Sequence, residues 1–335
     1  MSDYAPPFDR TPKILTLVAE ISESVGQLTA LSEQALTPTL RRANRIRSIQ
    51  ASLEIEQNTL NLDQVTAVLD GKRVLAQPKE IQEVRNAFKA YEALPRFVPT
   101  SSDDMLEAHQ ILMSGLIDAP GDYRSGSVGI AQGKEIVHLA PPGERVPQLM
   151  EDLFDWLRKT DEHPLTASCL FHYELEFIHP FTDGNGRIGR LWQTRILQEW
   201  KPLFAYLPIE TIIRDRQEAY YRTLAESDNT GKATAFVEFM LEAIREAIVE
   251  SISTDQVTDQ VSDQVKRLLQ AIGKGEHSSA ELLQTLELSH SPTFRKNYLQ
   301  PALEGGWIEY TQPESPRSPT QRYRLTAKGI NWLRG

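Results

Sequence analysis

The run His179-Pro180-Phe181-Thr182-Asp183-Gly184-Asn185-Gly186-Arg187-Ile188-Gly189-Arg190 concentrates more chemistry than any other part of this chain. Packing alone rarely asks for this composition, since charged groups are seldom buried unless paired and glycines add to the entropy lost on folding. A phosphate needs backbone N–H groups it can approach closely, and Gly184 and Gly186 remove the side chains that would stand in the way. The residues after Gly186 contain no proline and read as a helix, whose N-terminus would present unpaired N–H donors and a partial positive charge. Arg187 and Arg190 lie three apart, so both can point from one face toward that end, and a guanidinium donates two parallel hydrogen bonds to a phosphate. Asp183 suits a helix N-cap, and it equally suits Mg²⁺, which takes one or two carboxylates together with phosphate oxygens. His179, just upstream, can take a proton from a hydroxyl near neutral pH. Together these residues point to attack by a hydroxyl on a metal-bound nucleotide phosphate.

The run resembles the signature of the Fic family, H-x-F-x-[D/E]-G-N-G-R-x-x-R, at every specified position. The preceding segment, Phe171 to Ile178, is similar to the helix that leads into that signature. The resemblance implies adenylyl transfer, in which AMP moves from ATP to a hydroxyl of a target protein and pyrophosphate leaves. On that match His179 is the general base and Asp183 holds Mg²⁺. Gly184, Asn185 and Gly186 cradle the phosphates, and Arg187 and Arg190 hold the β- and γ-phosphates. The target is not named by the sequence, and the chain itself could serve. Three other readings stay open: removal of AMP, transfer from another nucleotide donor, and a DNA-binding regulator whose Fic domain senses a nucleotide.

Two further segments carry the resemblance. Ala51 to Asn58 is similar to the family's inhibitory helix, [S/T]-x-x-x-E-[G/N], with Ser52 and Glu56 at the matching spacing. Gln57 departs from the Gly or Asn of that pattern. The match implies that Glu56 forms a salt bridge with Arg190 and so keeps it from the γ-phosphate. Gly121-Asp122-Tyr123-Arg124 leads into Val128, Ile130, Val137 and His138, which alternate like two short strands. In the family such a hairpin is a flap that docks the target segment as an added strand.

The elements that must position these residues read as mainly α, a Fic-type helical bundle with a small β-hairpin flap. Residues 11–36 form an amphipathic helix with Ile14, Leu15, Leu17, Val18, Ile21, Val25, Leu28 and Leu31 on one face. Further helices are expected over 78–94, 103–117, 145–159 and 233–252. The domains are read as an N-terminal helical region over 1–100, with the inhibitory helix at about 48–60, and a catalytic core over 101–253. His172 is expected to pack rather than react. Arg214, Arg216, Tyr220 and Tyr221 could wall a nucleotide base, or simply belong to a packed helix.

A tetrad follows three times, Thr254-Asp255-Gln256-Val257, Thr258-Asp259-Gln260-Val261 and Ser262-Asp263-Gln264-Val265. Four-residue spacing lines up the valines on a helix, as a linker or a homodimer contact would. The linker is read as 254–263, and 264–335 as a winged helix-turn-helix-like domain. That last segment has ten Lys/Arg against six Asp/Glu, a net of +4 in a chain whose total is −10. Arg295 and Lys296 on its recognition helix and Arg317 in its wing would contact DNA, and the alternative is a domain that recruits a protein or mediates dimers.

Hydrophobic residues make up 40% of the 335, which supports folded cores over disorder. The single cysteine, Cys169, rules out an internal disulfide. No apolar run reaches the length of a membrane span, and the first residues carry no signal pattern. A cytoplasmic location is the expectation.

Overall fold

The computed structural model describes residues 4–35, 38–126, 129–132, 135–259, 263–273, 275–288, 290–312, 318 and 320–334. The chain divides into two compact units, Met1–Ser251 and Ile252–Gly335.

Among the described residues eleven α-helices build the first unit, the last of them running on past its end: α1 (Pro12–Ala35), α2 (Pro38–Ile55), α3 (Leu62–Leu69), α4 (Pro78–Ala93), α5 (Ser102–Met113), α6 (Val146–Lys159), α7 (Pro164–Ile178), α8 (Asn185–Trp200), α9 (Ile209–Asp215), α10 (Gln217–Thr230) and α11 (Thr234–Asp259). The centre is α7, buried almost from end to end, with α8 packed along it. Phe154 of α6 meets both, its ring 5.2 Å from Phe171 and 6.4 Å from Trp192. Contacts of α2 reach α3, α4, α8 and α9, so the helix carrying Ser52 belongs to the same unit as the 179–190 run. In α1 the buried residues are Ile14, Leu17, Ile21, Val25 and Leu28, a helical stripe; Leu15, placed on that face from the sequence, is instead 61% exposed.

The chain ahead of α1 lies across this unit as a strap. Tyr4 OH donates to Glu174 Oε2 at 2.5 Å, Ala233 N–H donates to Pro7 O at 2.8 Å, and Thr11 Oγ1 donates to Glu238 Oε1 at 2.7 Å. Burial pushes the Glu174 carboxyl up to about 7, the Tyr4 hydrogen bond pulling the other way and the charge of Asp228 adding to the rise.

Strands β1 (Gly129–Gln132) and β2 (Glu135–Leu139) pair antiparallel as the expected hairpin. Ile130 faces His138 in register, and the ladder shifts between Ile130 and Ala131. Val128 lies outside the described residues, as do the side chains of Ile130, Val137 and His138.

Two helix ends differ from expectation. Helix α5 stops at Met113, four residues early, and Gly115 follows at φ 72. Helix α11 continues past residue 252 to Asp259, into the tetrad repeat.

The second unit holds α12 (Asp263–Ile272), β3 (His277–Ser278), α13 (Ser279–Thr285) and α14 (Ser291–Phe294). A π-turn over Arg295–Leu299 then leads into α15 (Gln300–Glu304), β4 (Ile308–Tyr310), β5 (Arg322–Leu325) and α16 (Ala327–Arg334). Its antiparallel sheet has the order β3-β5-β4. The short β3 was not foreseen from the sequence. Leu268, Leu269, Leu282, Phe294 and Ala302 form the centre of its core.

Candidate active site

The site is built where the C-terminal end of α7 meets the N-terminal end of α8. His179 caps α7 in the left-handed region, φ 50, a conformation that a side chain with a Cβ adopts only when its surroundings hold it. Arg124 supplies that hold. Its guanidinium, 3% exposed, donates to the carbonyls of His179 at 2.6 Å, Ile178 at 3.0 Å, Gly126 at 2.5 Å and Pro141 at 2.7 Å. Its main-chain N–H donates to Pro180 O at 2.9 Å. One cation thus satisfies the carbonyls of Ile178 and His179 at the end of α7 and ties both feet of the hairpin to the loop carrying His179.

The loop between the helices is fastened from inside. Asn185, 2% exposed, accepts from Phe181 N–H and donates to Phe181 O, both at 2.9 Å. Its side chain is therefore committed to the loop, and what it can offer an anion is its main-chain N–H. The Phe181 ring stacks on His109 with centroids 3.6 Å apart. His109 accepts from Gly121 N–H at Nδ1, 2.9 Å, which leaves Nε2–H to donate to Asp183 O at 3.0 Å. Burial pushes the His109 pKa down to about 4, so the ring is neutral and this tautomer persists near neutral pH. Gly184 sits at φ 87, where an added Cβ would lie 2.7 Å from Met113 Sδ.

The two arginines have different partners. Arg187 donates to Asp183 Oδ1 at 2.8 Å and to buried Glu83 Oε1 at 3.3 Å, and Glu83 in turn accepts from Asn58 at 2.8 Å. Arg190 is held by α2: Nε donates to Ser52 Oγ at 3.1 Å, and Nη2 donates to Ser52 O at 3.0 Å and Glu56 Oε1 at 2.8 Å. Burial works to lower the Arg190 pKa, but the charges of Glu56, Tyr220 and Glu176 outweigh it and the net direction is upward. Its Nη1 is buried with no hydrogen-bond acceptor among the described residues, and it lies 3.0 Å from where a Cβ on Gly186 would stand. That same Cβ would collide with Glu56 Oε1. Glu56 therefore occupies the mouth of the glycine turn. Its side chain is 30% exposed against 1% for Arg190, so the pair reaches solvent through the carboxylate.

The Asp183 side chain is 45% exposed, and its Oδ2 has no hydrogen bond among the described residues. No cluster of three or more His, Cys, Asp or Glu suited to a metal occurs among the described residues. One open carboxylate oxygen beside an anion cradle fits Mg²⁺, which completes its shell with phosphate oxygens and water.

The flanking residues divide. His172 is buried, bonded to Gln193 at 2.7 Å and Tyr220 at 3.1 Å. Tyr220 is buried and Tyr221 is 41% exposed. Arg214 is held by Gln50 and Glu54 of α2, and Arg216 by Glu242 and Glu246 of α11, which leaves Tyr221 as the exposed ring of that group. In the second unit Arg295 and Lys296 are exposed, and Arg317 lies outside the described residues. Sequence reasoning passed over His109, Glu83 and the binding role of Arg124. The one available signal was that Arg124 lies in the Gly121–Arg124 segment that resembles the family.

Residues 99–197 match the family described as Fic/DOC, and residues 263–326 match the C-terminal domain of filamentation induced by cAMP protein Fic-like. A protein of Nematostella vectensis named protein adenylyltransferase Fic is 32% identical over 206 residues, which is 57% of this chain and 45% of that protein. The chain spans about half the length of the curated relatives it matches. In fold it is similar to Fic-1 of C. elegans, with a TM-score of 0.58, 24% identity, and coverage of 74% of this chain and 75% of that one. The crystal structure of a Fic family protein from Desulfovibrio desulfuricans G20 is 65% identical with a TM-score of 0.75, covering 97% of this chain and 99% of that one. Motif, fold and near full-length similarity agree: the chain belongs to the Fic family.

Proposed function

We propose that this protein is an adenylyltransferase that moves AMP from ATP to a hydroxyl of a protein, restrained by its own helix α2. The observation that carries the reading is the glycine turn at the head of α8, with His179 ending the helix before it and the two buried arginines Arg187 and Arg190 following on α8 itself. The turn and the helix N-terminus bind the phosphates through main-chain N–H groups. His179 takes the proton of the attacking hydroxyl, whose oxygen bonds to the α-phosphorus as the bond to the β-phosphate oxygen breaks and pyrophosphate leaves. Arg187 and Arg190 orient the departing phosphates. Asp183 would hold Mg²⁺, which when bound neutralises phosphate charge. The exposed ring of Tyr221 is the face this reading assigns to the base.

The restraint follows from competition. A carboxylate on Arg190 and a phosphate on Arg190 exclude each other, and Glu56 stands where the phosphate would enter. The test is incubation of wild type, Glu56→Gly and His179→Ala with labelled ATP and Mg²⁺, followed by intact mass. Glu56→Gly is expected to gain AMP roughly tenfold faster than wild type or more, and His179→Ala to lose at least roughly a hundredfold. Equal rates in wild type and Glu56→Gly would remove the restraint. No AMP on any variant, with loss of AMP from a modified protein, would turn the reading to removal.

A second reading concerns the C-terminal unit. Arg295 and Lys296 stand exposed on one helical stretch of a segment with net charge +4, which favours contact with duplex DNA. Duplex binding that does not weaken with added salt would count against it.

A further inference from the structure

Helix α2 closes without a glycine. Gln57 N–H donates to Glu54 O at 2.9 Å and Asn58 N–H donates to Leu53 O at 3.0 Å, the bond pair of a Schellman cap. That cap sets the residue after the C-cap in the left-handed region, and Gln57 occupies it at φ 69. Glycine takes this conformation freely and asparagine nearly so, whereas a longer side chain is strained there. Glu56 is the residue immediately before, so the cap sets the direction in which its carboxylate leaves the backbone.

The strain persists because the next residues are clasped. Asn58 Nδ2 donates to Glu83 Oε2 at 2.8 Å, and Thr59 donates to Glu80 Oε1 through its N–H at 2.8 Å and its hydroxyl at 2.7 Å. Gln217 Nε2 donates to Ile55 O at 3.0 Å from the other side. These bonds hold the last turn of α2 between α4 and α10.

We propose that Gln57 is a positioning residue whose strained backbone weakens the hold of Glu56 on Arg190, and so sets how often Arg190 is released. The proposal rests on the reading of Glu56 as a restraint. When the last turn of α2 lifts, Gln57 relaxes to an ordinary φ and the carboxylate leaves the mouth of the cradle. A residue that is at ease at φ 69 gains nothing from lifting, so it keeps Glu56 in place for longer.

The experiment compares wild type, Gln57→Gly, Gln57→Asn, Glu56→Gly and the Glu56→Gly, Gln57→Gly double variant. Incorporation of labelled AMP from ATP with Mg²⁺ is measured in all of them, and hydrogen exchange of the Asn58 amide in wild type and the two single Gln57 variants. Gln57→Asn keeps side-chain stiffness that glycine lacks, so agreement of the two isolates the backbone effect. Both are expected to incorporate AMP about fivefold more slowly than wild type and to exchange the Asn58 amide more slowly by a similar factor. The double variant is expected to match Glu56→Gly. If Glu56→Gly far exceeds wild type while both Gln57 variants equal or exceed it, the proposal falls and the restraint stands. If Glu56→Gly equals wild type, both fall. Unchanged exchange at Asn58 overturns the strain itself.

Discussion

Two buried arginines stand at the adjoining ends of two packed helices, and they are held in opposite ways. Arg124 closes α7, and among the described residues the acceptors of its guanidinium are main-chain carbonyls, from Gly126, Pro141, Ile178 and His179. Arg190, on the helix that begins at the glycine turn, is held by a hydroxyl and a carbonyl of α2 and by the carboxylate of Glu56 at its end, and keeps one buried nitrogen without an acceptor among the described residues. Carbonyls are part of the fold and cannot leave singly. A carboxylate at a helix end can. The same side chain is a rivet in one place and a releasable contact in the other, and the partner decides which.

Arg124→Met breaks the comparison on its fixed side and carries the largest expected effect. It leaves four carbonyls without their donor and the left-handed His179 without its brace, an expected loss of about 4 kcal/mol in urea unfolding. A loss under about 1 kcal/mol would mean that water or neighbours replace the guanidinium. The next effect is a pH dependence at the cradle. The His109 pKa is about 4 in the folded chain, below the ordinary 6.5, so its contribution is complete above pH 6.5 and is lost as pH falls toward 4. Wild type should lose roughly 3 kcal/mol across that window, and His109→Gln should show a correspondingly flatter slope. Matching slopes in the two proteins would assign the acid loss to other groups. The smallest effect sharpens the releasable side. Ser52→Ala removes one acceptor of Arg190 and is expected to weaken docking of α2 by about 1 kcal/mol, raising AMP incorporation roughly fivefold. A fall in incorporation would show that Ser52 supports the active arrangement instead.

The local parts of this comparison were legible in the sequence. The run from His179 to Arg190 announces a glycine turn, a helix start and two arginines, because those features depend on near neighbours. Ser52 and Glu56 were legible only through family likeness, since 134 residues separate Glu56 from Arg190. His109 could not be read: its role depends on Gly121, Phe181 and Asp183 arriving together, and a lone histidine on a helix carries no sign of that. The left-handed Gln57 was hidden for a different reason, because helix-end geometry is set by what clasps the next residues. Leu15 shows the reverse error, an apolar residue that periodicity placed inward and that the turn of the helix leaves outside.

The strap from Tyr4 to Thr11 has a consequence for the order in which the molecule is made. Its partners Glu162, Glu174, Ala233, Thr234 and Glu238 lie 152 to 227 positions later. A ribosome adding about 5–20 residues per second needs roughly 10–50 s to reach them. The strap therefore emerges well before the residues it docks on, and it waits as bare chain while α7 and α11 are still being synthesised. Closure of the first unit is a late, long-range event, set by the pace of translation rather than by the quick formation of any single helix.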